Sequence, residues 1–180
     1  AFRSTLPPGI REALANLVRA MNCYYSNLIE GHDTHPIDIE RAIANDFSAD
    51  PKQRDLQLEA RAHIEVQEWI DAGGLAGRAT SIDGLRETHA RFCSSLPEDL
   101  LQVKMEDTGE VLSLVPGAWR ERHVQVGRHV AVSPGAIPRF MEHFEWTYGR
   151  LGRIEAITAV AAAHHRFAWI HPFLDSNGRV

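Results

Sequence analysis

The sequence predicts a mainly α-helical protein with one short β-hairpin. Apolar residues recur at spacings of three, four and seven through most of its 180 residues, which is the pattern of amphipathic helices. Alternating valines occur only in one short stretch around Gly127, which is typical of a hairpin. With 44% hydrophobic and 24% charged residues the composition is that of an ordinary globular protein. A disordered chain, a collagen and a disulfide-dense miniprotein are therefore excluded.

Four helices are predicted in the first half of the chain. The first has an apolar stripe from Ile10 to Ile29, and Gly31 is its candidate C-cap. The second is expected to be capped by Asp33 or Thr34 and to end near Asn45. The third opens at Asp50-Pro51 and stops at Gly73-Gly74, and the fourth is capped by Ser81 and continues to Leu96.

The second half of the chain contains the predicted hairpin and two further helices. Residues 103–132 are rich in turn and β-branched residues, and the residues at 124, 126, 130 and 132 are all Val, which share one parity across Gly127. A fifth helix is expected from about Phe140 to Leu151. Residues 154–170 are apolar almost all the way round, which predicts a helix buried in the middle of a bundle.

Charge and cysteine content narrow the class of protein. The formal net charge of −5 gives no basic field for nucleic-acid binding. Cys23 and Cys93 have no CxxC spacing, so neither a zinc knuckle nor a disulfide framework is indicated. No apolar run reaches the roughly 18 residues of a membrane span, and no signal-peptide pattern is visible, so we expect a cytoplasmic protein.

Residues 171–179 concentrate groups that suit phosphate chemistry. Pro172 should break the preceding helix at His171, and the Ser176-Asn177-Gly178 turn can lead into a new helix whose N-terminus attracts anions. His171 can take a hydroxyl proton and Asp175 can hold Mg²⁺. Asn177 and Arg179 can clamp phosphate oxygens. On residue chemistry alone, an ordinary turn preceded by a capping His is the open alternative.

The same residues carry a resemblance to a known family. The segment His171–Arg179 resembles the signature loop of the Fic family, His-Pro-Phe-x-Asp/Glu-Gly-Asn-Gly-Arg, and Ala161–Ile170 resembles the helix that leads into it. The stretch around Arg120 and Val124-x-Val126-Gly127 is similar to the flap with which the family positions a target segment. The resemblance implies a Fic-like helical bundle with a β-hairpin flap. Its target-positioning residues would be Arg122, Val124 and Val126.

The resemblance also implies an activity. A Fic-type enzyme transfers AMP from Mg-ATP to a Ser, Thr or Tyr hydroxyl of a target protein, so ATP and Mg²⁺ are the expected substrate and cofactor. By position, His171 would be the base and Asp175 the Mg²⁺ ligand. The phosphate-binding residues would be Ser176, Asn177, Gly178 and Arg179. Self-modification and a homodimer are left open, while a membrane or nucleic-acid partner is not expected.

A second motif indicates self-inhibition. Residues 26–31, Ser-Asn-Leu-Ile-Glu-Gly, are similar to the Ser/Thr-x-x-x-Glu-Gly/Asn motif of the Fic inhibitory helix. By resemblance, Ser26, Glu30 and Gly31 form this motif on a helix over about residues 10–30, and Glu30 would obstruct the γ-phosphate region. The alternative is an exposed Glu in the last turn of an amphipathic helix. We expect residues 1–50 to form an N-terminal helical segment and residues 51–180 a Fic-like core that stops within the signature motif.

Ser176 departs from the family pattern, which has Gly at that position. A side chain there is expected to weaken transfer without abolishing it. Three alternatives follow: transfer of another phosphate-linked group, removal of AMP from modified targets, and a degenerate helical module that regulates or binds without catalysis.

Overall fold

The computed structural model describes residues 6–105 and 108–180. Within these residues, six α-helices form most of the regular structure and four short strands form two hairpins. The mainly α-helical prediction is therefore confirmed. The chain divides into two compact units, of which the first ends at Glu68 and the second begins at Trp69. The expected organisation into residues 1–50 and 51–180 stays a prediction.

The first unit is built from helices that begin at prolines, the third of which ends at Asp71, beyond the last residue of the unit, Glu68. They are α1 (Pro8–Ile29), α2 (Pro36–Ile43) and α3 (Pro51–Asp71). Asp50 caps α3 as expected, because its Oδ1 accepts a hydrogen bond from the Lys52 backbone N–H at 2.9 Å. The expected caps of α2 are wrong. Since the residue before a proline is pushed into extended backbone, His35 occupies the N-cap position with φ −65° and ψ 148°.

The C-terminus of α1 is closed by a Schellman motif around Gly31. The Gly31 N–H donates to Leu28 O at 3.2 Å, and the His32 N–H donates to Asn27 O at 2.8 Å. Gly31 has a φ of 81°, a conformation that favours glycine. The predicted role of Gly31 in ending the helix is thus confirmed, and Glu30 becomes the C-cap residue.

The core of the first unit is small. It is formed by Cys23 from α1, Ile39 and Ala42 from α2, and Ala60 and Ile64 from α3. Apart from Cys23, the only buried residue of α1 is Asn27, whose amide donates to the Thr34 hydroxyl at 3.1 Å. The apolar stripe found in the sequence lies largely exposed on α1. Its members are Ile10, Leu14, Leu17, Val18, Met21, Tyr25, Leu28 and Ile29.

The second unit contains three helices and both hairpins. Its elements are α4 (Ile82–Ser94), β1 (Gln102–Lys104), β2 (Val111–Ser113), β3 (Gln125–Val126), β4 (His129–Val130), α5 (Ile137–Tyr148) and α6 (Arg153–Ile170). Ser81 caps α4 as predicted, because its hydroxyl accepts a hydrogen bond from the Gly84 N–H at 3.0 Å. None of the described helices combines the length and apolarity required to cross a bilayer.

The predicted hairpin is present, but its register differs from the valine pattern. Gln125 pairs with Val130 and Val126 with His129, so Gly127 and Arg128 form a two-residue loop. Directly paired residues share a face, and Val126 and Val130 therefore lie on opposite faces although both have even numbers. A second hairpin, β1–β2, lies within the turn-rich stretch that precedes it.

The core of the second unit joins α4, α5, the end of α6 and the loop that follows α6. Its buried members are Leu85, Ile137, Met141, Phe144, Phe167, Ile170 and Phe173.

The prediction that α6 is buried on all sides is wrong. Ile154, Ile157 and Val160 are 65–78% exposed, whereas Phe167 and Ile170, near its C-terminus, are buried. Apolar composition shows that a helix can be buried, but burial requires a neighbour on each face. Among the described residues of α6, the buried ones are Phe167 and Ile170, close to where the helix leads into the candidate site.

Candidate active site

The candidate site begins where α6 ends. His171 is the C-cap of α6 and has a left-handed backbone, with φ 52° and ψ 63°, while its N–H donates to Phe167 O at 2.9 Å. Pro172 disfavours helical backbone at His171, so the helix breaks where the sequence predicted. The chain then turns sharply, and Pro172 and Phe173 are buried directly after the turn.

The His171 imidazole is half-buried and favours its neutral form. Burial is the largest influence and lowers its pKa, and the proximity of Arg120 and His129 lowers it further. A hydrogen bond with the Ala168 backbone and the charge of Asp175 act in the opposite direction. A neutral imidazole of this kind is suited to accept a proton.

Asn177 closes the loop on itself. Its Oδ1 accepts a hydrogen bond from the Phe173 N–H at 2.9 Å, and its Nδ2 donates to Phe173 O at 3.0 Å. Asn177 is buried, and both polar atoms of its amide are used by the loop backbone. It therefore shapes the turn directly, and its role as a phosphate clamp stays a prediction.

Ser176 occupies a backbone conformation that favours glycine. Its φ is 62°, in the left-handed region, and its side chain is buried. The Ser176 N–H donates to Oδ1 of Asp175, which orients the Asp175 carboxylate. After Ser176 the backbone forms a 3₁₀ turn over Asn177–Arg179, at the position where the sequence analysis allows a new helix to begin.

The Asp175 side chain fits a Mg²⁺ ion that takes its remaining ligands from a nucleotide. Asp175 is partly exposed, and no hydrogen bond to its second carboxylate oxygen exists among the described residues. In the same part of the chain no group of three or more His, Cys, Asp or Glu side chains could hold a metal ion. Mg²⁺ is commonly bound by one or two carboxylates together with substrate phosphates, so a single carboxylate is compatible with it.

His89 supports the loop from within the core, a role that no local sequence pattern indicates. Its ring is fully buried and stacks on Phe173 with a centroid distance of 3.7 Å. Its Nδ1 accepts a hydrogen bond from the Gly117 N–H at 2.8 Å, so the ring proton is on Nε2, which faces Asp175 O at 3.3 Å. Burial lowers the pKa of His89 to about 4, and the ring is therefore neutral. The position of a histidine in an amphipathic helix does not indicate a hydrogen-bond partner that lies 86 residues away in the sequence.

Cys93 lies beside the same supports. Its Sγ is 3.5 Å from His89 Nε2, and burial raises the pKa of the thiol to about 12. The thiol therefore stays protonated and packs as a small apolar group.

The predicted flap residues lie on or next to the β3–β4 hairpin. Arg122 is exposed and its Nη2 contacts Glu110 Oε1 at 3.3 Å. Val126 in β3 is about half exposed, and Val124, just before β3, accepts a hydrogen bond from the Ala131 N–H at 3.2 Å. Arg120 is buried, so its guanidinium is directed into the protein rather than toward a target.

The predicted inhibitory residues lie in the first unit. Glu30 is exposed at the end of α1, and its N–H donates to Ser26 O at 3.2 Å. The segment that follows is anchored, because His32 Nδ1 is 2.6 Å from the buried carboxylate of Glu59. The Glu30 side chain thus projects from a firmly built turn, and its inhibitory role stays a prediction.

The sequence of this chain matches a known family over the whole second half of its length. The sequence pattern described as Fic/DOC family matches residues 79–180. The chain belongs to the Fic/DOC family. This membership covers α4, both hairpins, α5, α6 and the loop from His171 to Arg179.

Several relatives of this Fic/DOC member carry the name protein adenylyltransferase Fic. The protein of Drosophila grimshawi is 33% identical over 178 residues, which cover 94% of this chain and 34% of the relative. That of Drosophila erecta is 32% identical over 124 residues, or 68% of this chain and 25% of the relative. The Aedes aegypti protein is 34% identical over 84 residues, which cover 46% of this chain and 17% of the relative. The chain therefore spans about a third or less of the length of these relatives.

We predict that His89 makes the protein less stable in acid. Its folded pKa lies below its usual value of 6.5, so the unfolded state binds the proton more readily and stability falls as the pH drops through 6.5 toward 4. Between about pH 7 and about pH 4.5 the free energy of unfolding should decrease by about 2–3 kcal/mol on this account. Urea denaturation of the wild type and His89→Gln at several pH values measures the difference. The exposed His143→Gln is the control and should keep the wild-type slope.

We predict that Ser176→Gly stabilises the fold. Glycine adopts a φ of 62° without the cost of about 1–2 kcal/mol that other residues pay, so unfolding should require about 1 kcal/mol more. Ser133→Gly is the matched control, since Ser133 has a φ of −59° and its side chain makes no capping bond. It should lose a few tenths of a kcal/mol. Equal effects of the two substitutions in thermal or urea unfolding would refute the strain at Ser176.

Proposed function

We propose that this chain carries the catalytic loop of a protein adenylyltransferase, which moves AMP from ATP to a hydroxyl side chain of a target protein. The observation that carries the proposal is the neutral, half-buried His171 at the break after α6, four residues before the Asp175 carboxylate. Membership of the Fic/DOC family and the names of the relatives support it. A cytoplasmic location is part of the same proposal.

The reaction requires a base and a held phosphate group. The hydroxyl oxygen of the target would bond to the α-phosphorus of ATP while the bond to the pyrophosphate oxygen breaks. The hydroxyl proton would move to a ring nitrogen of His171, whose lowered pKa favours the neutral imidazole. Pyrophosphate is the leaving group, so the atoms and charges balance.

The remaining residues of the loop would bind and orient the nucleotide. Ser176, Asn177, Gly178 and Arg179 would bind its phosphates, with catalysis arising from positioning and from charge stabilisation. Asp175 would hold Mg²⁺, which supplies positive charge to the phosphates when bound. The flap residues Arg122, Val124 and Val126 would align the target segment, and the target could include a second copy of this protein.

We further propose that Glu30 restrains this activity. Its carboxylate is exposed at the end of α1 on a turn fixed by the Schellman motif and by the His32–Glu59 contact. A carboxylate held in this way can compete with the γ-phosphate for positive charge, which would prevent a productive pose of ATP.

We predict that His171→Ala abolishes AMP transfer. Loss of the base should lower the rate by about 10²–10⁴-fold. The measurement is incubation of the full-length protein with ATP labelled at the α-phosphate, followed by detection of labelled protein. His165→Ala, an exposed histidine on α6, is the matched control and should label normally. Label that comes only from the γ-phosphate would mean phosphorylation, and no label from either position would favour a binding module.

We predict that Glu30→Gly raises labelling, by roughly 5- to 150-fold if the inhibitory contact is of ordinary allosteric strength. Asp33→Gly is the matched control, because it removes an exposed carboxylate three residues further along the same segment. Unchanged labelling in Glu30→Gly, with activity present in the wild type, would contradict the inhibitory role and leave the catalytic proposal intact.

A further inference from the structure

Outside the signature loop, the second unit contains a buried charged group, the guanidinium of Arg120. Only 4% of this residue is exposed. Among the described residues its side chain makes no ion pair, and each of its three nitrogens donates to a backbone carbonyl instead. Burying a charge is costly unless hydrogen bonds compensate, so a guanidinium in this position must contribute strongly to the local geometry.

One side of Arg120 binds the end of α6. Its Nε donates to His171 O at 2.7 Å, and its Nη2 contacts Ile170 O at 3.4 Å. Its backbone N–H donates to Pro172 O at 2.9 Å. Arg120 therefore holds three consecutive carbonyls at the point where His171 takes its left-handed conformation. A cation is also favoured there, since the C-terminus of a helix carries partial negative charge.

The other side of Arg120 binds the β3–β4 hairpin at its base. Nη1 donates to Arg122 O at 2.7 Å and Nη2 donates to Val132 O at 2.6 Å. These two carbonyls lie on opposite sides of the hairpin in the chain, so a single side chain closes its base. A second contact acts nearby, where His129 Nε2 lies 2.8 Å from Trp169 O in the last turn of α6.

Only arginine can make this set of contacts. Its planar group offers five N–H donors in a fixed fork, whereas lysine offers three donors on one nitrogen. The four side-chain contacts of Arg120 come from three nitrogens and point in different directions. Lysine keeps the charge but cannot make these contacts from its single nitrogen.

We infer that Arg120 is a positioning residue that holds the backbone of the proposed base, His171, and the base of the β3–β4 hairpin in one fixed arrangement. The inference rests on the proposed function for the role of His171. A single side chain outside the signature loop thus aligns the proposed proton acceptor, His171, with the β3–β4 hairpin. Misplacing a reacting group by about 1 Å can lower a rate by about 10²-fold, so the arrangement matters for catalysis.

The test compares Arg120→Lys, which keeps the charge, with Arg120→Gln, which removes it. Arg61→Gln is the matched control, because Arg61 Nη1 also donates to backbone carbonyls, those of Ala42 and Ile43, but in the first unit. All variants are made in the full-length protein, and thermal unfolding checks that they fold. Should Arg120→Gln fail to fold, Arg120→Lys carries the test.

The first measurement is amide hydrogen exchange, which does not depend on activity. Both Arg120 variants should exchange faster, by roughly tenfold or more, at residues 170–173 and at residues 122–132 together. Faster exchange in the hairpin alone, or in neither segment, would overturn the inference. Arg61→Gln should leave both segments unchanged.

The second measurement is the NMR titration of the His171 imidazole, assigned with His171→Ala. The charged and titratable groups that face this ring are Arg120, Asp175 and His129. Arg120→Gln removes a positive charge, so the midpoint should move to higher pH, and Arg120→Lys should leave it near the wild-type value. If the titration midpoint moves equally in both variants, loss of the positive charge does not explain the shift, which contradicts the inference.

The third measurement is transfer of label from α-labelled ATP as a function of ATP concentration. Arg120→Lys should lower the maximal rate by roughly 10- to 100-fold and leave the KM for ATP within about twofold. Full activity in Arg120→Lys would show that the fork is not needed. If the wild type transfers no label, the proposed function fails, while exchange and titration still decide the role of Arg120.

Discussion

The candidate site depends on the break of α6 between Ile170 and Pro172. Because Pro172 disfavours helical backbone before it, His171 leaves the helix axis with a left-handed conformation. This turn sends Phe173 into the core and leaves the His171 ring at the edge of it. An uninterrupted helix would carry the two residues onward along one axis, and the loop that returns through Asn177 could not form.

The loop behaves as part of the core rather than as a surface connection. Phe173 is fully buried and stacks on His89, and the Asn177 amide hydrogen-bonds to both the N–H and the C=O of Phe173. Loops of this kind hold functional groups within narrow limits because the supporting side chains are themselves packed. The exposed parts of the site, such as Gly178, thus rest on a rigid base.

The sequence predicted several helix ends correctly from local signals, although the expected caps of α2 were wrong. Asp50, Ser81 and Gly31 act on residues only two to four positions away, so their effect can be read from the chain. The break at Pro172 and the order of the loop residues were accessible for the same reason. Together with the family resemblance, this was enough to predict the fold class and the candidate base.

Features that depend on distant partners could not be predicted. His89 and Arg120 act on backbone groups about 50 to 86 residues away, and nothing local marks them. The prediction that α6 is buried on all sides was wrong for the same reason, because composition does not show which faces of a helix pack against other elements. The hairpin register also differed, because it depends on the length of the loop at Gly127 and not on the valine pattern alone.

The positions of the two cysteines have a practical consequence. Both cysteines are fully buried, Cys23 in the first unit and Cys93 in the second, beneath the loop that carries Ser176. A buried protonated thiol reacts with alkylating reagents only when its surroundings open. Each compact unit therefore contains its own chemical reporter, and the rate of modification at Cys93 measures how often the support beneath the loop comes apart.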